Sequence, residues 1–377
     1  MSAIHSHPHR RAPALSRLWD FNRLFSNDKF QAWVSNIPVL RRIARTEGED
    51  IFDLIMGFVN SQVLWALVEL RILNSLLDGP KQIAEISAAA ALSPERAEIL
   101  MNGATALGLT KRRANGVYAL RRKGASLLGV PGLTDMIRHH AHFYRDMADP
   151  IALLRDEVDT ELSHFWPYVF GASDSAPIRV TENYSNLMAA SQKLVAHDTL
   201  KMVTFRSGNA ILDVGGGTGN FAIELARKFT DVRVSVFDLP QVKPAADAHL
   251  LAKGFSDRIT FQPGSFRDEP LPLGYDAITL IRVLYDHSDS TVMDLLKRAY
   301  DALSEGGRLI VSEPMSGGDK PHRAGDVYFA FYTMAMRTGK ARSANQIAQM
   351  CQKIGFRSIL IPKAPRKFIT SAVICVK

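Results

Sequence analysis

The chain has 377 residues, 46% of them hydrophobic and 22% charged, a globular composition with enough length for two domains, each with its own core. The formal net charge of +8, with a pI near 9.4, suits nucleic acid or an anionic membrane surface without requiring either. Cys351 and Cys375 supply neither a disulfide framework nor metal-ligand spacing and fit a reducing, cytoplasmic compartment, and the His-, Arg- and Pro-rich start of the chain lacks the apolar run of a secretory signal.

Residues 1–50 read as a basic N-terminal arm with one or two short helices around Trp19 to Trp33. From Ile51 to Leu77 apolar residues such as Phe52, Ile55, Phe58 and Val59 recur at helical spacing, and Asp78-Gly79-Pro80 stops the run. Asn60, Ser61 and Gln62 interrupt its most apolar part, so the segment falls short of a membrane span and reads as a core helix or a dimer seam. A short helix follows from Ile83. A third starts where Ser93 can cap and Pro94 can take the first position, and it runs to about Leu107. Leu109 to Leu120 reads as a hairpin turning at Asn115-Gly116. Helices followed by a hairpin over residues 51–125 make a winged-helix arrangement. Its wing carries Lys111, Arg112, Arg113, Arg121, Arg122 and Lys123 with no acid among them, either a solvated face or a docking surface.

Residues 126–205 read as a helical connector, with loops around Ser163–Trp166 and Gly171–Pro177. Over 206–377 strand and helix patterns alternate, with candidate strands at 210–214, 232–237, 258–262, 276–281, 307–313, 357–361 and 369–376. That alternation implies an α/β fold whose parallel sheet is wrapped on both faces, with the last two strands as an antiparallel edge.

The first of these strands carries the chemistry. Ile211, Leu212 and Val214 run into Asp213-x-Gly215-x-Gly217-x-Gly219, and a helix-like run follows from Phe221. Glycines there let a ligand approach the backbone at the carboxyl end of a parallel sheet. The spacing is not the G-x-G-x-x-G of dinucleotide folds, and a carboxylate before the loop would repel a pyrophosphate. It suits a ligand carrying an ammonium and a sulfonium, namely S-adenosylmethionine. Asp238 ends the next strand, placed to accept hydrogen bonds from a ribose diol. The bland alternative is an ordinary tight turn between strand and helix.

The order of these pieces resembles the class I S-adenosylmethionine-dependent methyltransferases. The whole chain resembles the O-methyltransferases of the caffeic acid and hydroxyindole type, through Leu212–Gly219, Phe237-Asp-Leu-Pro240, Gly264-Ser-Phe266, Leu280–Asp289 and Gly306–Pro314. The resemblance implies a Rossmann-like methyltransferase sheet behind an N-terminal helical winged-helix dimerisation domain. It also implies a homodimer, with Gly215, Gly217 and Gly219 as cofactor loop, Asp238 on the ribose and Leu239 on the adenine. Gly264, Ser265 and Phe266 stand where the family reaches the adenine amino group, and Arg282 stands near the cofactor. The basic arm, Phe52–Val63 and Arg282–His287 are similar to the bacterial carotenoid 1-hydroxyl O-methyltransferases of the demethylspheroidene (hydroxyneurosporene) type. A group that methylates a bacteriochlorophyll ring carbon shares the Arg-x-Leu-Tyr pattern and stays open, as does a phenolic or polyketide acceptor.

The chain departs from the phenol-methylating pattern. Tyr285 holds the position of the family's general-base histidine, Glu313 retains one acid that orients that histidine, and Ala341 falls where the second acid is expected. A phenol of pKa about 10 yields its proton to imidazole at modest cost, whereas a tertiary alcohol is a far weaker acid. Transfer to such an alcohol must rest on proximity and alignment, with the proton leaving late, to Tyr285, His287 or water. The aromatic- and Met-rich Gly325–Met336 is expected in the acceptor pocket, where it suits a polyene. His139, His140 and His142 lack a matching acidic or cysteine cluster, so no metal is expected. The basic surface would let the enzyme collect a lipophilic acceptor from the inner membrane's anionic lipid. The competing class is a winged-helix DNA-binding regulator, which accounts for only the first domain.

Overall fold

The computed structural model describes residues 22–23, 25–34, 36–165 and 192–377. The start of the arm, Trp19 included, and the loop expected at Gly171–Pro177 lie outside them; where a loop is expected around Ser163–Trp166, Ser163–Phe165 instead close the helix Glu161–Phe165. The chain divides into two compact units. One comprises residues up to Ile72 with Gly79–Ala119, and the other comprises Leu73–Asp78 with Leu120–Lys377.

In the first unit, helix α1 spans Pro38–Glu69, starting inside what the sequence assigns to the arm. It ends at Leu70, where Arg71 turns into the left-handed region at φ 54°, before the Asp78-Gly79-Pro80 stop. The polar triplet does not break it, since the Ser61 hydroxyl donates back to the Phe58 carbonyl at 2.7 Å. Ala44–Glu69 is long and apolar enough to cross a membrane by length and composition only, a test that core helices of soluble proteins also pass. Phe52, Leu54, Ile55 and Phe58 on it are each more than half exposed. The Ser93 Oγ accepts from Arg96 N at 3.3 Å, capping the helix Pro94–Ala106. Strands β1 (Thr110–Arg112) and β2 (Tyr118–Leu120) then form the wing, with Gly116 at φ 81° in the turn.

In the second unit the helix Arg122–Gly129 is followed by α2 (Leu133–Asp146). Its sheet is built from β3 (Ala210–Val214), β4 (Arg233–Asp238), β5 (Ile259–Pro263), β6 (Tyr275–Ile281), β7 (Leu303–Glu313), β8 (Arg357–Leu360) and β9 (Ser371–Val376). The strand order is β5-β4-β3-β6-β7-β9-β8, parallel through β7, with β9 antiparallel to both its neighbours.

Alternation along β3 sends Leu212 and Val214 into one core and Ile211 into the other. The first core closes under α4 (Asp289–Ala302) and α5 (Ala344–Ile354), and the second under α3 (Asn220–Lys228) and a helix at 192–202. A sheet covered on both faces can bind a ligand only at its strand ends.

Candidate active site

The glycine loop follows β3. Gly215, Gly217 and Gly219 all take positive φ, at 69°, 57° and 83°. A Cβ on Gly215 would stand 2.9 Å from Val283 Cγ2, so the loop lies directly on the turn after β6. Asp238, at the end of β4, braces the loop: Oδ2 accepts from Gly217 N and Oδ1 from Leu239 N, both at 2.7 Å. Burial raises its pKa against those two backbone bonds. Its carbonyl accepts from Gly264 N at 2.9 Å, joining the loop after β5. A Cβ on Gly264 would lie 2.5 Å from the Phe237 ring, so the loops meet only without one. Leu239, Ser265 and Phe266 stand half-buried at these strand ends, and the Ser265 hydroxyl accepts from Arg267 N at 3.3 Å.

Asp213 is fully buried beneath the loop rather than lining it. Thr279 Oγ1 donates to its Oδ1 at 2.7 Å, and its Oδ2 has no hydrogen-bond partner. Burial pushes its pKa up to about 7, with the Asp238 charge adding to the rise and the Thr279 bond opposing it. An orphaned carboxylate oxygen under a loop of open backbone fits a cationic adenosine ligand, whose charge would stabilise the ionised form through the loop.

The turn after β6 is the second half of the site. Arg282 sits at φ 60°, its backbone N–H held by the Ser312 carbonyl at 2.8 Å and its Nη2 donating to the Tyr285 hydroxyl at 3.1 Å. Tyr285 is buried, and burial raises its pKa above the usual phenol value despite the Arg282 charge. With that proton held and Arg282 donating to its oxygen, Tyr285 is a poor base. Glu313 ends β7 fully buried and accepts from Tyr285 N at 3.1 Å. Burial raises its pKa to about 8, against the Arg342 charge and backbone bonds.

His287 does not stand open as an alternative base. It is buried, its ring lies edge-on to Phe266, and Arg267 Nη2 meets its Nδ1 at 3.1 Å. Burial pushes its pKa down to about 4, with Arg267 and Arg342 lowering it further.

The organiser of this turn is a residue the sequence reading missed. Arg342, next to Ala341, is fully buried and donates to the Leu284 carbonyl at 2.9 Å, the His287 carbonyl at 2.8 Å and Asp289 Oδ1. A lone arginine more than fifty positions from the turn carries no sequence signal of that role.

The aromatic segment is a wide π-helical turn, Arg323–Phe329, running into the helix Ala330–Ala335. The three histidines of α2 diverge: His139 Nε2 meets Tyr332 Oη at 2.7 Å, His140 Nε2 meets Tyr328 Oη at 2.6 Å, and His142 Nδ1 meets Glu161 at 2.6 Å. Tyr328 is within electrostatic reach of Tyr285 and Arg282, which places the aromatic segment beside the turn.

Residues 144–357 match the O-methyltransferase domain family, and residues 52–129 match the O-methyltransferase dimerisation domain. The chain belongs to the O-methyltransferase family. The enzyme is 49% identical over all 377 residues, and 99% of the relative, to the demethylspheroidene O-methyltransferase of Cereibacter sphaeroides. It is 46% identical to that of Rhodobacter capsulatus over 94% of this chain and 88% of the relative. Human N-acetylserotonin methyltransferase, solved with S-adenosylmethionine, superposes with a TM-score of 0.72 at 23% identity, covering 88% of this chain and 97% of that one. The enzyme has the family's methyltransferase fold and uses S-adenosylmethionine as methyl donor.

Proposed function

We propose that the enzyme methylates the tertiary 1-hydroxyl of an acyclic carotenoid. The observation that carries this is the full-length 49% identity to a demethylspheroidene O-methyltransferase. The strand-end turn supports it, because it presents a buried Tyr285 where a phenol-methylating site needs an imidazole.

When bound, the donor supplies an electrophilic sulfonium methyl. The chain's own residues bind and orient. Gly215, Gly217 and Gly219 leave backbone open to the ligand, and Asp213 favours its positive charge from below. Asp238 shares its carboxylate between the loop and the ribose. Leu239, Gly264, Ser265 and Phe266 wall the adenine. Arg282 and Tyr285 form the floor under the acceptor hydroxyl. Glu313 and Arg342 hold that floor in place rather than move protons. Alignment supplies most of the acceleration, since no group here matches the pKa of an alcohol.

We further read the exposed face of α1 as the seam with a second copy, because the dimerisation-domain match begins at residue 52, on that face. The basic wing is read as a peripheral contact with anionic lipid at the inner membrane, with no nucleic acid bound.

Incubating the protein with labelled donor and 1-hydroxylated acyclic carotenoid in vesicles tests the activity. Label is expected in the 1-methoxy carotenoid. Label only in a phenol or a tetrapyrrole would overturn the acceptor. Co-sedimentation indifferent to anionic lipid would remove the membrane contact.

A further inference from the structure

Arg282 Nη2 donates to the Tyr285 hydroxyl oxygen and Arg267 Nη2 to His287 Nδ1, so a guanidinium already occupies the accepting atom of each, and the acceptor's proton needs another destination. The turn Arg323–Phe329 offers one. Wide helical turns of this kind concentrate at functional sites. This one is pressed onto the chain beyond β7, where a Cβ on Gly325 would lie 2.2 Å from the Met315 carbonyl oxygen. Asp326 Oδ2 fixes it by accepting from Gly317 N and His322 N, each at 2.8 Å. The turn presents Tyr328, a half-buried residue with a buried hydroxyl, toward the Arg282–Tyr285 floor on one side and the His140 ring on the other. The 2.6 Å contact between Tyr328 Oη and His140 Nε2 joins residues 188 positions apart.

We propose that Tyr328 takes the proton of the acceptor hydroxyl and that His140 relays it away. The proposal rests on O-methyl transfer to an alcohol at this site. As the acceptor oxygen forms its bond to the methyl carbon with a lone pair, its O–H bond breaks, leaving the bonding pair on oxygen. That proton passes to Tyr328 Oη while the Tyr328 hydroxyl proton passes to His140 Nε2. The donor's sulfur keeps the electrons of the broken carbon–sulfur bond, so the positive charge it loses reappears as imidazolium.

The dyad is poised for this. Burial holds the Tyr328 phenol protonated and the His140 imidazole neutral, the latter with its pKa lowered to about 4. A neutral ring facing a phenol proton accepts it at Nε2 and carries its own proton on Nδ1. The groups facing the pair are Tyr144 beside His140, Tyr332 stacked on Tyr328, and Tyr285 and Arg282 across from Tyr328. An alkyl oxonium is acidic enough to protonate even this weak base.

The test compares the full-length enzyme with Tyr328→Phe, His140→Gln and Tyr328→Phe/His140→Gln, with His142→Gln as a control that bonds Glu161 instead. Each relay variant is expected to lose at least about tenfold in kcat, with acceptor KM and calorimetric donor binding nearly unchanged. The double variant should be no worse than Tyr328→Phe, and the solvent isotope effect on kcat should change in all three. Independently of turnover, 15N spectra should show His140 as the neutral Nδ1–H tautomer in the wild type and lose that signature in Tyr328→Phe. A kcat within about twofold in both single variants, or a loss confined to KM, overturns the relay. If wild type ignores the hydroxylated carotenoid but methylates a phenol, the acceptor reading fails alone, and the same variants are judged on that phenol.

Discussion

Glu313 Oε2 accepts the backbone N–H of Tyr285 at 3.1 Å, so the carboxyl retained at the end of β7 orients a turn rather than an imidazole. In a site with a histidine base, an acid there would stabilise an imidazolium. Here it is buried beneath a phenol that stays protonated.

That arrangement gives a pH signature. The folded pKa of Glu313, about 8, lies above its unfolded value, so its contribution to stability is fully present below the unfolded pKa of about 4.5 and is lost as pH rises through 8. Glu313→Gln is expected to keep the Tyr285 contact and flatten this decline. Urea midpoints measured between pH 5 and 9 would show it, and parallel curves for wild type and variant would refute the buried-acid account.

Asp213 makes a related prediction about ligand binding. At pH 6, below its free value of about 7, it is largely protonated. A cationic donor bound above it should lower that pKa and release a proton. Calorimetry in buffers of different ionisation enthalpy should detect the release in wild type and lose it in Asp213→Asn.

Gly264→Ala places a methyl carbon 2.5 Å from the Phe237 ring, which is itself buried. We expect a loss of about 1–3 kcal/mol in unfolding free energy from this overpacking. Phe237→Leu in the same chain should recover part of it. Additive losses in the double variant would show that the crowding lies elsewhere.

Arg342→Lys should be poorly tolerated, because a single ammonium cannot reproduce donation to Leu284, His287 and Asp289 together. A stability loss of about 2–4 kcal/mol is expected from the His287 carbonyl and Asp289 losing the guanidinium and the Leu284 carbonyl keeping only His287 N, with a parallel fall in kcat. Thermal melts and single-turnover rates check both.

Ile55→Asp and Phe58→Asp put charge on the exposed face of α1. Each should weaken self-association by about 1.5–3 kcal/mol, the value of burying a large apolar side chain. Sedimentation equilibrium reads this, and unchanged association would move the seam elsewhere.

The sheet was legible because its signals are local. The apolar run in Ile211–Val214, the glycine run after it, and Asp213 and Asp238 near two strand ends need no distant partner to be recognised. Helix α1 starts earlier and ends sooner than its apolar run indicates, since Arg71 ends it by a backbone turn with no breaker residue, and the Ser61 hydroxyl is satisfied within the helix.

The candidate residues Gly215–Gly219, Asp238 and Tyr285 could be named from register, but not what each one touches. Side-chain identity and spacing determined the fold class and the cofactor, and the family resemblance exposed the missing imidazole. Only the tertiary structure decided that Asp213 lies under the loop, that Arg267 meets His287, that Arg342 holds the turn, and that Tyr328 meets His140. The side-chain contacts among them join residues 20 to 188 positions apart, and burial, which sets their protonation, is a property of packing that no local pattern encodes.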